Sequence, residues 1–185
     1  VIECGAAENI HLHYNTNGTV FNKKFVREYW PQFKFVSIMF SVDGVGERFN
    51  YMRNPAKWEN VSANIKKYMD LKQDNMKFEL CPTANVLSYY YISELYDWAE
   101  SIGLPVWMNL LHDPDYLNIQ SYPRNIKDEI VAKTNHTHLT NPNEFMLAED
   151  KDEIDEFWKH INFWDKWRDE NFAEVFPELS QKMRK

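Results

Sequence analysis

The feature that most constrains this chain is a repeated switch of apolar period. Segments with a two-residue or continuous apolar pattern alternate with segments whose apolar residues recur every three or four positions. Residues 9–15 (NIHLHYN) alternate as a strand does, and Thr16, Asn17, Gly18 and Thr19 end it as a turn. Residues 22–30 (NKKFVREYW) read as a short helix stopped by Pro31, and residues 33–40 as a second strand. The apolar run 35–40 (FVSIMF) predicts a strand covered on both faces. Residues 55–72 give the clearest helix, with Pro55 in its first turn and Trp58, Val61, Ile65, Tyr68 and Met69 on one stripe. A third strand at 77–83, a helix at 88–102 closed by Gly103, and a fourth strand at 106–111 complete the pattern. The order βαβαβαβ predicts an α/β fold, a mainly parallel sheet or partial barrel with right-handed crossovers.

Beyond His112 the character changes. Residues 112–116 read as a loop, 123–134, 150–171 and 172–177 as helices, and 135–149 as an irregular linker. The opening VIECGAAEN reads like the tail of a helix already under way, as if cut from a longer protein. The predicted organisation is a partial (βα) barrel over residues 1–121 and a C-terminal helical extension over 122–185.

Composition excludes several function classes. The net charge is −7, with 21 Lys+Arg against 28 Asp+Glu, and no basic run exceeds the pairs Lys23-Lys24 and Lys66-Lys67. Such a chain repels phosphate backbones, so nucleic acid is not an expected partner. Only 5 glycines occur, and no GxGxxG, Walker, GxSxG or HExxH motif. No apolar run approaches the ~20 residues of a membrane span. Two cysteines, Cys4 and Cys81, cannot form a disulfide framework or a zinc site, which suits a reduced, cytoplasmic setting. Three Asn-x-Ser/Thr sequons, at Asn17, Asn60 and Asn135, are what an Asn-rich chain produces by chance.

Ligands of parallel α/β sheets and barrels bind beyond the C-terminal strand ends. Those ends here are residues 15–18, 41–44, 81–85 and 110–113, each with small polar or charged side chains. Ser41 offers a hydroxyl just past an apolar strand, and Asp43 could take a ribose hydroxyl or cap the turn. Arg53, in the loop before the long helix, could grip a carboxylate bidentately or form a surface ion pair. Asn17 sits in an Asn-Gly turn on the same rim. The HxH pairs His11/His13 and His136/His138 read as surface histidines, and Cys81 as a buried inert thiol. Glu47, Glu79, Asp113 and Asp115 invite a glycosidase reading. Against it, Glu79 is mid-strand, and Trp30, Trp58, Trp98 and Trp107 hold core-like positions rather than one sugar-binding row.

Several segments together resemble the radical S-adenosylmethionine (radical SAM) superfamily. YNTNGT at 14–19 is similar to the end of its third barrel strand, and FSVDGVGER at 40–48 with Tyr51 and Arg53 to its fourth strand and loop. Trp58-Glu59 with Asn64-Ile65 resembles the following helix, and CPTANVLS at 81–88 the fifth strand. MNLL at 108–111 with PDYLNI at 114–119 resembles the sixth. FWDKWR at 163–168, Asn171-Phe172 and VFPEL at 175–179 match a closing signature of the twitch domain-containing subgroup, frequent in phage and environmental sequences. The resemblance runs in order over nearly all of residues 9–180.

It implies strands three to six of a (βα)6 barrel and an enzyme that reductively cleaves S-adenosyl-L-methionine at a 4Fe-4S cluster. The 5′-deoxyadenosyl radical so generated would take a hydrogen from a small-molecule or peptide substrate, with a flavodoxin or ferredoxin as reductant. By the same resemblance Ser41 and Arg53 fall where the cofactor's carboxylate or ribose is contacted, with Asn17 and Asp43 on the same rim. The family's CxxxCxxC loop and GGEP motif are not in these residues, so this chain supplies no cluster ligand set and is expected to be inactive alone. A non-catalytic α/β interaction module derived from such a barrel is the alternative.

Overall fold

The computed structural model describes residues 1–134 and 139–183. The protein is a mixed α/β chain that divides into two compact units, Val1–Pro82 with Tyr96–Met108, and Thr83–Leu95 with Asn109–Lys185. The units interleave, whereas the sequence reading divides the chain once, after residue 121.

The first unit is built on three strands, β1 (His11–Thr16), β2 (Phe35–Phe40) and β3 (Met76–Leu80), parallel and ordered as in the sequence. His11 pairs with Phe35 and Thr16 with Phe40, while Val36 pairs with Met76 and Phe40 with Leu80. Val36, Ile38, Phe40, Met76, Phe78 and Leu80 are buried on one face. Over that face lie Trp30 and, from helix α2 (Trp58–Asp70), Val61, Ile65 and Tyr68, with the Trp30 and Tyr68 rings stacked at 5.7 Å. The opposite face carries His11, His13 and Asn15, all exposed, the half-buried Phe35, Ser37 and Met39, and the pair Lys77–Glu79 at 2.8 Å. β2 is therefore fully covered on one face only. Its strand period of two puts Ser37 and two large apolar residues on the polar side, which the nearly continuous apolar run disguised.

Local chemistry explains the remaining differences from the sequence reading. The opening segment holds a short 3-10 turn at Ala6–Asn9 instead of a helix tail. Residues 25–32 coil as a π-turn followed by a 3-10 turn at Trp30–Gln32, with Pro31 inside the turn rather than ending it. A helix the sequence reading lacked, α1 (Gly46–Met52), buries Phe49 and Tyr51. Asn50 of α1 accepts the Trp58 N–H at 2.7 Å and so satisfies one of the four orphan donors at the start of α2. Pro55 accordingly precedes that helix. The third strand stops at Leu80, because Pro82 has no N–H to give a ladder. Of the fourth strand, Val106 makes a single parallel bridge to Leu80. Trp58 and Trp98 meet edge to face at 4.7 Å, but Trp107 is 61% exposed and is not a core residue.

The second unit holds the two-residue strands β4 (Thr83–Ala84) and β5 (Asn109–Leu110), also parallel. The Thr83–Asn109 and Leu80–Val106 pairings have the same separation in sequence. Helix α3 (Ile92–Ser101) is preceded by a 3-10 turn at Tyr89–Tyr91 and is shared in sequence by both units. Five helices follow: α4 (Arg124–Thr134), α5 (Thr140–Leu147), α6 (Ile154–Arg168), α7 (Phe172–Val175) and α8 (Pro177–Lys182). Helix α5 occupies part of the stretch read as an irregular linker. Pro142 lies in its first turn, where a missing N–H costs nothing, so Asn-Pro-Asn starts a helix here instead of breaking one. The expected helix 150–171 is shorter at both ends, and Pro177 opens α8. The closing signature has structural duties. Asp165 accepts the Phe172 N–H at 2.9 Å, Glu178 accepts the Tyr91 hydroxyl at 2.8 Å, and the Phe172 and Phe176 rings stack at 4.9 Å.

Charge adds to the second unit. Glu129 of α4 accepts the Tyr90 hydroxyl at 2.7 Å and pairs with Lys133 at 2.7 Å and Lys182 at 2.8 Å. Hydrogen bonds from Lys133, Lys182 and Tyr90 hold its carboxyl down at about 2, against an ordinary 4.5. A carboxyl whose folded pKa is depressed gives stability that is complete above the unfolded pKa and is lost as pH falls through the folded one. Unfolding free energy should therefore drop between about pH 4.5 and pH 2. Glu129→Gln should flatten that part of the profile in urea titrations, and an unchanged slope would contradict the assignment.

Candidate functional site

A cavity of about 480 Å³ lies in the first unit at the C-terminal ends of β1 and β2. Its wall is formed by Asn17, Thr19, Ser41, Phe49, Met52, Arg53, Asn54, Pro55 and Ala56. The Ser41 N–H donates to the Thr16 carbonyl at 2.8 Å, carrying the β1–β2 ladder one residue past Phe40. That bond sets Ser41 beside the Asn17 turn. In the turn, Asn17 Oδ1 accepts from the Thr19 N–H at 3.1 Å and from its hydroxyl at 2.7 Å. Gly18, at φ +72°, occupies backbone space that other residues rarely adopt, and a Cβ there would meet Val61 Cγ1 at 3.1 Å. The turn is thereby fixed against α2, where Asn64 Nδ2 also donates to the Gly18 carbonyl at 3.1 Å.

Helix α1 brings Arg53 to the same wall. Arg53 is its C-cap and donates its N–H to the Phe49 carbonyl at 2.9 Å. One guanidinium nitrogen, Nη2, lies 2.5 Å from Asp43 Oδ2. The Asp43 side chain is only 8% exposed, against 35% for Arg53. Gly44 makes room for the α1 side chains, since a Cβ there would stand 2.7 Å from Met52 Cε.

The structure thus brings three of the four sequence candidates, Asn17, Ser41 and Arg53, onto one cavity wall. The fourth, Asp43, is not part of that wall and engages Arg53 instead. Sequence reasoning missed the apolar half of the wall, Phe49, Met52, Pro55 and Ala56. The signal for it was α1 itself, with apolar residues at 49 and 52 followed by Asn-Pro. Asn17 combines both roles considered for it, since it builds its turn and also faces the cavity.

Other candidates lie elsewhere. His11 and His13 are exposed on the polar face of β1, away from its C-terminal end, and the His11 ring packs on Phe35 at 5.8 Å. His136 and His138 lie outside the described residues. Cys81 is buried and Cys4 exposed, and neither forms a disulfide. Glu79 is taken up by Lys77, and Asp115 by Lys151 at 2.5 Å. Among the described residues no group of three or more His, Cys, Asp or Glu side chains could hold a metal ion, and the whole chain has only 2 cysteines. Three thiolates for an iron–sulfur cluster are therefore not provided by this chain. A cavity with one cationic side chain, hydroxyl and amide groups on one side and apolar groups on the other can hold an amphiphilic ligand with an anionic end.

No helix among the described residues is long and apolar enough to cross a membrane. None of the family models, curated proteins or solved structures compared matches the chain.

Proposed function

We propose that the cavity at the ends of β1 and β2 is the cofactor side of a radical SAM enzyme of the twitch domain-containing subgroup, and that it binds S-adenosyl-L-methionine. The observation that carries this reading is the convergence of Asn17, Ser41 and Arg53 on one wall. They come from three separate elements and are residues the resemblance selects. The ligand's chemistry suits the wall, because Arg53 and Ser41 can take a carboxylate or ribose hydroxyls while Phe49, Met52 and Pro55 can cover a base.

The partial-barrel reading has independent support. β1, β2 and β3 are parallel and keep their sequence order, with no reversal of the kind a doubly wound sheet has at its crevice. A 4Fe-4S cluster, when present, supplies the electron for reductive cleavage of the sulfonium, and its thiolates would come from outside these residues. The substrate would be a small molecule or peptide, and the reductant a flavodoxin or ferredoxin.

The test has two levels. On this chain, isothermal titration with S-adenosylhomocysteine should give saturable binding. Ser41→Ala should weaken it a few-fold and Arg53→Ala about tenfold, the scale of losing a hydrogen bond to a charged group. Unchanged affinity in both variants would remove the site assignment. In the full-length protein, reconstitution with iron and sulfide should yield 5′-deoxyadenosine, and a reconstituted protein without that product would end the enzyme reading.

One observation favours the alternative, a non-catalytic interaction module. β1 forms an edge of its sheet, and an unpaired edge is a template for a strand of another chain. A chain that binds no S-adenosylhomocysteine and self-associates or captures a β-partner would support it.

A further inference from the structure

We propose that Asp43 is the specificity-determining residue of the cavity, and that it makes the site reject phosphate esters in favour of ligands whose anionic group is a single carboxylate. The inference rests on the cofactor reading above and deepens it. Among the described residues that line the cavity, Arg53 is the one that is charged. Left alone, such a guanidinium would attract any anion, and a phosphate most, because phosphate carries about −1.5 to −2 charges and several strong acceptors. Asp43 changes that. Its carboxylate touches Nη2 from behind the wall, at 2.5 Å, and its side chain is 8% exposed. Asp43 offsets much of the Arg53 charge, yet Arg53 keeps directional donors, since a guanidinium has five N–H groups and one carboxylate cannot engage them all.

A monocarboxylate can therefore still be gripped through hydrogen bonds, while the second charge of a phosphate gains less from a guanidinium whose charge Asp43 offsets. Among the described residues the wall has no second cation, and its backbone turn contains one glycine, Gly18, rather than a glycine-rich phosphate cradle. Asp43 also holds Arg53 in place, so it acts on the ligand through another residue and through its field. These two roles separate experimentally. Loss of positioning alone weakens all anionic ligands together, whereas loss of the field changes their ranking.

The experiment compares S-adenosylhomocysteine, a zwitterion with one carboxylate, with adenosine 5′-monophosphate, its phosphate counterpart, by titration calorimetry on this chain. Wild type should prefer S-adenosylhomocysteine. Asp43→Asn, which keeps shape and removes charge, should shift the affinity ratio toward the monophosphate by about tenfold, a partly screened unit charge a few ångströms away. Asp43→Ser should shift it the same way, so the test survives if one variant folds poorly by circular dichroism. Asp43→Glu should restore the wild-type ratio. Arg53→Gln should lower affinity for S-adenosylhomocysteine with no gain for the monophosphate. An unchanged ratio in both charge-removing variants, with both ligands weakened equally or not at all, overturns the proposal and leaves the cofactor site standing. Folded wild type that binds neither ligand overturns the cofactor reading and this inference with it.

Discussion

Phe40→Ala should lower the unfolding free energy by about 3–5 kcal/mol, the range for removing a fully buried aromatic side chain. Phe40 is the last residue of β2 and is fully buried. Its ring lies 5.5 Å from that of Tyr68 and 6.1 Å from that of Phe78, so deletion opens a hole between sheet and α2. The surroundings resist collapse into the hole, because the Gly18 turn, the Phe78 strand and Tyr68 are each tied elsewhere. Tyr68, for one, donates its hydroxyl to the Val20 carbonyl at 3.0 Å. The loss reaches the cavity as well. Ser41 follows Phe40 directly, and the Phe40 carbonyl accepts the Cys81 N–H at 2.8 Å. Urea unfolding followed by tryptophan fluorescence measures the effect. A loss under about 1 kcal/mol would show that the site tolerates collapse and that this packing does not hold the strand ends.

Tyr122→Phe should cost about 2–4 kcal/mol while changing the volume of the second unit hardly at all. The Tyr122 hydroxyl donates to the Val86 carbonyl at 2.7 Å and accepts the Tyr90 N–H at 3.1 Å. Tyr122 is 2% exposed, and burial pushes its phenol well above the ordinary range. Without the hydroxyl, a buried carbonyl and a buried N–H lose these bonds, and leaving such groups unpaired costs more than making the bonds gains. Hydrogen exchange at the Tyr90 amide should quicken by more than tenfold, alongside a lower melting temperature. Exchange at the wild-type rate would mean that water had entered to replace the hydroxyl.

The sequence foretold elements best where side chains repeat and worst where backbone chemistry decides. β1, β2, α2 and α3 follow from their periods, and the parallel order follows from their alternation. Helix α1 was hidden because Gly44 and Gly46 read as turn residues, while Phe49 and Tyr51, two apart, do not make an obvious helical stripe. Helix α5 was hidden by Pro142, a breaker inside a helix and harmless in its first turn. The apolar run of β2 overstated its burial, since Phe35 and Met39 are large and apolar yet stand on the polar face. For the site, strand-end position offered Asn17 and Ser41 and the loop before α2 offered Arg53, the resemblance singled them out, and all three line one cavity. That Asp43 would engage Arg53 was not legible, because it depends on α1 turning the chain back on itself, and α1 was the helix the pattern concealed.

The register of β1 on β2, from His11 with Phe35 to Thr16 with Phe40, restricts how such a chain can change length. A residue inserted within β1 would have to be answered by one within β2, or every side chain beyond it would swap faces. The two strands therefore count as one ruler. Insertions and deletions in natural variants should gather in the surface connections and spare both strands, or alter them in step.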